Sequence, residues 1–416
     1  MSRPRILIVT RKFWPQVGSA ERALGRLVWG LGERFDVKVA TAFAHPQWPR
    51  RLDYGPVRVE RIYKAPTGWF SMRGSMRTLT KYISDARPEF DLIYSVRFRE
   101  ESAAVVKAAC TQIPVVVRAE YSGTRGDIFP LAEDRRGEAI RRECTKATRV
   151  VTTSPYVAKE VTASGMPRDR IVEISCDAYS PDSKPDNRDI PATTPDDPTE
   201  VSIGRRRMIR ERIRDSLAEI DPQLQTAERT RVVACLEGWQ DPATFDFLLE
   251  TALTMAAGPG RPVRFWLIGD QPLSPWILRR MNEGEVRALF AFMPLVDNID
   301  PLLTAADAVI VPSCDRFSPL SLIEAIESQT PLVCIDRPEI DAIIGDTDAG
   351  AARRYPEGDI TAAMTALEKI ISDELSADAL IRSADSVAAE RFGLDKNIEQ
   401  HAELFQTLID ENTKTD

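Results

Sequence analysis

Val311-Pro312-Ser313-Cys314-Asp315-Arg316-Phe317-Ser318-Pro319-Leu320-Ser321-Leu322-Ile323-Glu324-Ala325 passes from strand to loop to helix. The apolar run at 308–312 that leads into it suits a strand covered on both faces. Pro319 suits a first helical turn, where its missing N–H costs nothing. Free backbone N–H groups at that helix start favour an anion, and Ser318 and Ser321 add hydroxyl donors. Glu324 falls about one and a half turns further on, where the helix dipole alone already favours a carboxylate.

The same alternation extends in both directions. Towards the N-terminus, residues 5–10 read as a strand and 11–19 as a loop. Residues 20–34 have helical spacing at Ala23, Leu24, Leu27, Val28 and Leu31, and 37–41 read as a strand. Strands at 57–63, 91–95, 114–118, 149–153 and 171–175 alternate with helices at 72–86, 100–110 and 135–146, and with one capped by Ser154. A second series follows. Strands are expected at 231–236, 263–268, 288–293, 308–312 and 331–335, and helices at 244–257, 299–305, 319–328 and 360–372. Helical spacing over 390–410 ends the chain. Repeated strand–helix units imply parallel sheets and an α/β class, with ligands outside the carboxyl ends of the strands.

Between the two series, residues 177–200 hold many prolines and aspartates and almost no apolar side chains, which reads as a linker. The expected organisation is a Rossmann-like domain at 1–185, a polar linker at 186–200, a second Rossmann-like domain at 201–388 and a terminal helix at 389–416. A length of 416 residues fits, since domains average ~150.

Composition narrows the function. The net charge of −8 argues against a general nucleic-acid binder and against broad adhesion to anionic membranes. No apolar run reaches the ~18 residues of a membrane span or resembles a secretory signal. The six cysteines form no C-x-x-C pair and read as reduced and cytoplasmic. His45 and His401 are the only histidines, which disfavours a His-based metal site. No metal and no cofactor are expected. Arg205, Arg206, Arg207, Arg210, Arg212 and Arg214 form the densest basic run; interleaved with Glu211 and Asp215, it reads as a solvated helix face.

The quoted segment resembles the C-terminal signature of family 4 glycosyltransferases, Pro-Ser, a few variable residues, then Glu-Gly-x-Pro-x-x-Leu-x-Glu-Ala. Pro312, Ser313, Pro319, Leu322, Glu324 and Ala325 match it. The resemblance covers nearly the whole chain. It includes the opening strand with the loop at 15–19, the end of the first domain at 147–154 and 160–165, and Leu267-Ile268-Gly269-Asp270-Gln271-Pro272. Ala305-Ala306-Asp307 ahead of the strand is similar as well.

The resemblance implies a GT-B architecture, two Rossmann-type domains facing a cleft, and a last helix that returns to the first domain. It implies transfer of a sugar from a nucleotide-sugar donor to a saccharide or lipid-linked acceptor, with retention and without a metal. A peripheral membrane contact is left open. Glu324 would accept from the donor ribose hydroxyls. The backbone of Ser318, Pro319 and Leu320 would hold the diphosphate, with Gly18 and Ser19 approaching from the other domain and Arg11 and Lys12 adding positive charge. Glu120, after the strand at 114–118, would orient an acceptor hydroxyl.

Some family positions differ. Arg316 stands where the first Glu of an E-x7-E pair is usual, and a guanidinium cannot accept a hydrogen bond. Facing the donor sugar, Arg316 would suit an acidic sugar. Trp239 and Thr244 stand where an Arg and a Lys usually meet the diphosphate. The alternatives are therefore an active transferase with substitute cations, a catalytically degenerate binding or regulatory partner, and a GT-B nucleotide-sugar epimerase.

Overall fold

The computed structural model describes residues 3–414 apart from 17, 124–125, 134–135, 176–196, 228, 237, 261, 270–273, 284–285, 295, 297, 314–318 and 347–349. Two compact units emerge, one of Met1–Ala178 with Leu394–Asp416 and the other of Tyr179–Gly393.

The first unit runs β1 (Arg5–Val9), α1 (Ser19–Arg34), β2 (Asp36–Phe43), β3 (Arg51–Tyr54), β4 (Val57–Lys64), α2 (Trp69–Ala86), β5 (Leu92–Val96), α3 (Glu100–Ala109) and β6 (Val115–Ala119). It continues with α4 (Phe129–Glu133), α5 (Gly137–Cys144), β7 (Arg149–Thr152), α6 (Pro155–Ala163) and β8 (Ile171–Glu173). The eight strands lie in the order β3-β4-β2-β1-β5-β6-β7-β8, parallel except for the β3–β4 hairpin. β1 is central: Ile8 pairs with Val39 on one side and Tyr94 on the other. Leu7 and Val9 pack into one apolar layer, and Ile6 and Ile8 into the opposite one. Burial on both faces is why this strand reads as a continuous apolar run. Ser154 caps α6, its Oγ accepting from the Val157 N–H at 3.3 Å.

The second unit runs α7 (Thr199–Ile220), β9 (Arg231–Leu236), α8 (Pro242–Ala257), β10 (Val263–Gly269), α9 (Pro275–Met281), α10 (Val286–Leu289), β11 (Phe290–Pro294), α11 (Asp300–Thr304), β12 (Ala308–Val311) and α12 (Pro319–Glu327). β13 (Leu332–Ile335), α13 (Pro338–Ile344), β14 (Arg353–Tyr355), α14 (Ile360–Ser372) and α15 (Glu374–Arg391) complete it. Its six strands are parallel in the order β11-β10-β9-β12-β13-β14. Asp241, Asp359 and Asp373 cap α8, α14 and α15 through their carboxylates.

The last helix, α16 (Leu394–Thr413), belongs to the first unit. Ala402, Phe405 and Leu408 join the apolar layer of Ile6 and Ile8. His401 is buried there. Its Nδ1 lies 3.0 Å from the Asn397 carbonyl and its Nε2 3.0 Å from the Tyr94 hydroxyl. A carbonyl can only accept, so Nδ1 carries the proton and the Tyr94 O–H donates to Nε2. Burial, then the nearby Arg118 charge, push the imidazole pKa down to about 3, so His401 stays neutral.

The arginine run of α7 is a solvated face only in part: Arg207 and Arg212 are exposed, while Arg205, Arg206, Arg210 and Arg214 are half-buried. Arg205 pairs with Asp197 at 2.8 Å, Arg206 with Asp378 and Arg207 with Glu374. Arg210 and Arg214 converge on Asp307 at 2.9 and 2.6 Å. Asp197 lies eight residues before Arg205, but the other acids are 93 to 172 residues away in sequence. Cys110, Cys144, Cys235 and Cys334 are free thiols; Cys176 and Cys314 lie outside the described residues. Among the described residues, no helix is long and apolar enough to cross a membrane.

Candidate functional site

In the first unit, the chemistry-bearing side chains collect beyond the carboxyl ends of β1, β5 and β6, which are neighbours in the sheet. Glu120 follows β6 directly and is buried. Its backbone is pinned: the N–H donates to Asp127 Oδ2 at 2.6 Å, and the carbonyl accepts from Thr153 Oγ1 at 2.7 Å. Its side chain is not. Arg118 Nε stands 3.3 Å from Oε1, yet neither carboxyl oxygen has an aligned hydrogen bond among the described residues. Burial pushes the Glu120 pKa up to about 7; Arg118 and Arg97 pull it down, while Asp127 and Glu21 push it further up. A carboxyl poised near neutrality can either donate to or accept from a substrate hydroxyl.

Arg97 and Asp127 hold this corner together. Arg97 has a left-handed backbone, φ 74°, a conformation a non-glycine residue adopts only when its surroundings impose it. Its Nε donates to Asp127 Oδ1 at 2.8 Å, and its guanidinium lies 4.7 Å from the centre of the Tyr121 ring. Arg97 escaped the sequence reading because no motif surrounds it; an arginine just past a strand end was the only signal.

Glu120 therefore has a stability signature. Its folded pKa is raised, so the native state holds the proton more tightly than the unfolded chain. That contribution is complete below the unfolded value and is lost as pH rises through about 7. Glu120→Gln should remove the loss. In urea unfolding, the variant should match wild type near pH 4 and exceed it at pH 8 by roughly 2–3 kcal/mol. An equal offset at both pH values would contradict the assignment.

Arg11 is not free to meet an anion in this arrangement. Its Nε and Nη2 grip the two oxygens of buried Glu101 at 2.6 and 2.8 Å, and Nη2 also reaches Glu100 at 3.0 Å. Tyr63 donates its hydroxyl to Glu101 Oε1 at 3.2 Å. A bidentate fork of this kind neutralises the charge expected to serve a phosphate. Lys12, beside it, is exposed. Gly18 caps α1, which Ser19 opens, but the Glu21 carboxylate already folds over that cap: a Cβ on Gly18 would lie 1.9 Å from Glu21 Oε2. An anion at the start of α1 would have to displace it.

In the second unit, Pro319 opens α12, Leu320 is fully buried in the packed interior, and Glu324 is buried on the same helix. Arg316 and Ser318 lie outside the described residues. Trp239 is wholly buried, and its Nε1–H donates to the Ile268 carbonyl at 3.0 Å. Its ring fills the space left by Gly269, where a Cβ would come within 2.9 Å of the indole, and it meets Phe292 edge-on at 5.5 Å. The position expected to hold a cation thus closes the carboxyl end of β10 with an aromatic plug. Thr244 sits in the first turn of α8, where its N–H joins the Asp241 cap at 3.2 Å.

Two family matches divide the chain as the two units do. The glycosyl transferase 4-like domain matches residues 18–177, and the glycosyl transferases group 1 domain matches 230–373. The chain is a glycosyltransferase of GT-B type, assembled from these two domains. No curated protein matches its sequence. Among solved structures, sucrose-phosphate synthase from Thermosynechococcus elongatus is 14% identical, covers 98% of this chain and 100% of its own, and has a TM-score of 0.71. HepE of Anabaena, solved with UDP and glucose, is 14% identical over 97% of this chain and 100% of its own, with a TM-score of 0.69. WaaG, a glycosyltransferase involved in lipopolysaccharide biosynthesis, is 14% identical over 96% of this chain and 99% of its own, with a TM-score of 0.65. At such identities the likeness establishes the fold.

Proposed function

We propose that the chain transfers a hexose-type sugar from a nucleotide-sugar donor to a saccharide or lipid-linked acceptor, with retention and without a metal. Glu324 supports this reading most directly. It is a carboxylate on the helix that follows β12, inside the matched group 1 domain. In the proposed complex it accepts from the two ribose hydroxyls. The N–H groups at the start of α12 meet the diphosphate, where charge grows as the nucleotide leaves. Glu120 binds and orients the acceptor hydroxyl. The proposed setting is cytoplasmic, in polysaccharide or cell-envelope assembly.

A second reading, a relative that binds or regulates without transferring, has its own support. Trp239 fills the slot of one diphosphate cation, and Arg11 is spent on Glu101. Removing a single transition-state donor typically costs ~10²–10³ in rate.

Calorimetric titration separates the two readings. UDP-glucose is the first donor to try, because HepE was solved with UDP and glucose; GDP- and ADP-glucose follow. The transferase reading expects saturable binding that Glu324→Ala weakens ~10-fold or more. No binding of any donor would overturn it in favour of the non-catalytic reading.

A further inference from the structure

The arginines of α7 that converge on Asp307 belong to a feature remote from the proposed donor site. Asp307 precedes β12, and Arg231 opens β9, so this corner lies at the amino ends of the strands. The proposed donor groups lie beyond the carboxyl ends. The six residues of β9 separate the two edges by roughly 20 Å.

A cavity of about 1070 Å³ opens over this corner, lined by Arg210, Arg214, Arg231 and Asp307, with Thr226 and Ser372 among its polar walls. Three guanidinium groups share the one carboxylate: Arg210 Nη1 at 2.9 Å, Arg231 Nη1 at 3.0 Å and Arg214 Nη2 at 2.6 Å. Among these four side chains the positive charges exceed the negative by two. The Nε–H groups of Arg210 and Arg231 are buried and find no acceptor among the described residues. Burial, which Asp307 only partly offsets, lowers the Arg210 pKa, as expected of a cation short of negative partners. Glu200, Glu211, Asp215 and Asp373 also line the cavity and are exposed, and Glu374 lines it in a pair with Arg207. Their charge opposes a polyanion or a membrane surface, which needs a broad basic face. A small ligand is opposed less, because it meets the buried guanidinium groups directly while exposed charges are weakened by solvent and salt.

We propose that this cavity is a second ligand site, which binds the phosphate group of a small anion, either free phosphate or a sugar phosphomonoester. A phosphate carries close to two negative charges at neutral pH, which matches the excess among those four side chains. Its oxygens are acceptors of the kind that guanidinium groups bind best. The volume exceeds what one phosphate fills and leaves room for an attached sugar.

The test is calorimetric titration of the full chain with glucose 6-phosphate and, separately, with inorganic phosphate. Ionic strength is held constant, with sodium chloride as the control. Saturable binding of either ligand is expected, and the tighter one identifies the source of the phosphate. Arg231→Gln should weaken binding ~10-fold or more. Ala227→Trp, at an exposed position on the cavity wall, keeps every arginine pair and should weaken binding comparably without lowering the melting temperature. It decides the matter should Arg231→Gln misfold. Glu324→Ala should leave phosphate binding at the wild-type level. The proposal fails if neither ligand binds, if chloride reproduces the heats, if Ala227→Trp binds normally, or if Glu324→Ala abolishes binding and so places the anion in the donor site.

Discussion

Asp307→Ala is expected to cost the second unit about 3–5 kcal/mol in urea unfolding, the range for breaking a buried ion cluster by removing one partner. The variant would leave Arg210, Arg214 and Arg231 facing one another without their shared carboxylate. It would also strip the Val232 N–H of its 2.8 Å acceptor at the start of β9. Burial alone would raise the Asp307 pKa, but Arg210, then Arg214 and the Val232 N–H, outweigh it and hold the group at about 2. The sign follows from that depression. The stabilisation is complete above the unfolded value near 3.8 and is lost as pH falls through about 2. About 2 kcal/mol should disappear over that window in wild type, and the variant should lack that part of the acid limb. A cost under about 1 kcal/mol would show that α7 is held by its other pairs.

Trp239→Ala should be comparably severe, at about 3–5 kcal/mol. The indole is fully buried and packs on Phe292, and the Ile268 carbonyl would lose its donor. Trp239→Arg is the sharper comparison, since it restores the residue type that the family resemblance led us to expect. Here the position points into the apolar interior, so a guanidinium would be buried without a counter-charge. Unfolding measurements should find Trp239→Arg at least as unstable as Trp239→Ala. A stable Trp239→Arg protein with improved donor binding would overturn the plug assignment.

The strand–helix alternation could be read from sequence wherever a strand is covered on both faces. β1, β5, β6, β9 and β12 are runs of apolar residues and were found to within a residue or two. The strands that went unread, β3 (Arg-Leu-Asp-Tyr) and β14 (Arg-Arg-Tyr), are short and polar and lie at sheet edges. Edge position removes the apolar signal that periodicity needs. α15 was missed over most of its length, because its apolar residues are mainly alanines and an amphipathic stripe hardly registers.

The candidate site was legible only in part. Glu120 and Glu324 stood out by their place after a strand and in a helix start, and both places exist. Their environments did not show. The raised pKa of Glu120 comes first from burial, which Arg118 and Arg97 oppose and Asp127 and Glu21 reinforce, and the neutralisation of Arg11 depends on a glutamate 90 residues away. Sequence by itself determined the α/β class, the two-part organisation and the strand ends at which chemistry collects. Hydrophobic burial is read out locally, residue by residue, and the backbone period does the rest. Only the tertiary structure decided which charges are spent and which remain available. Charge pairing is a contact between distant segments, and Arg11, Trp239 and the arginines of α7 each took a role that their neighbours in sequence do not specify.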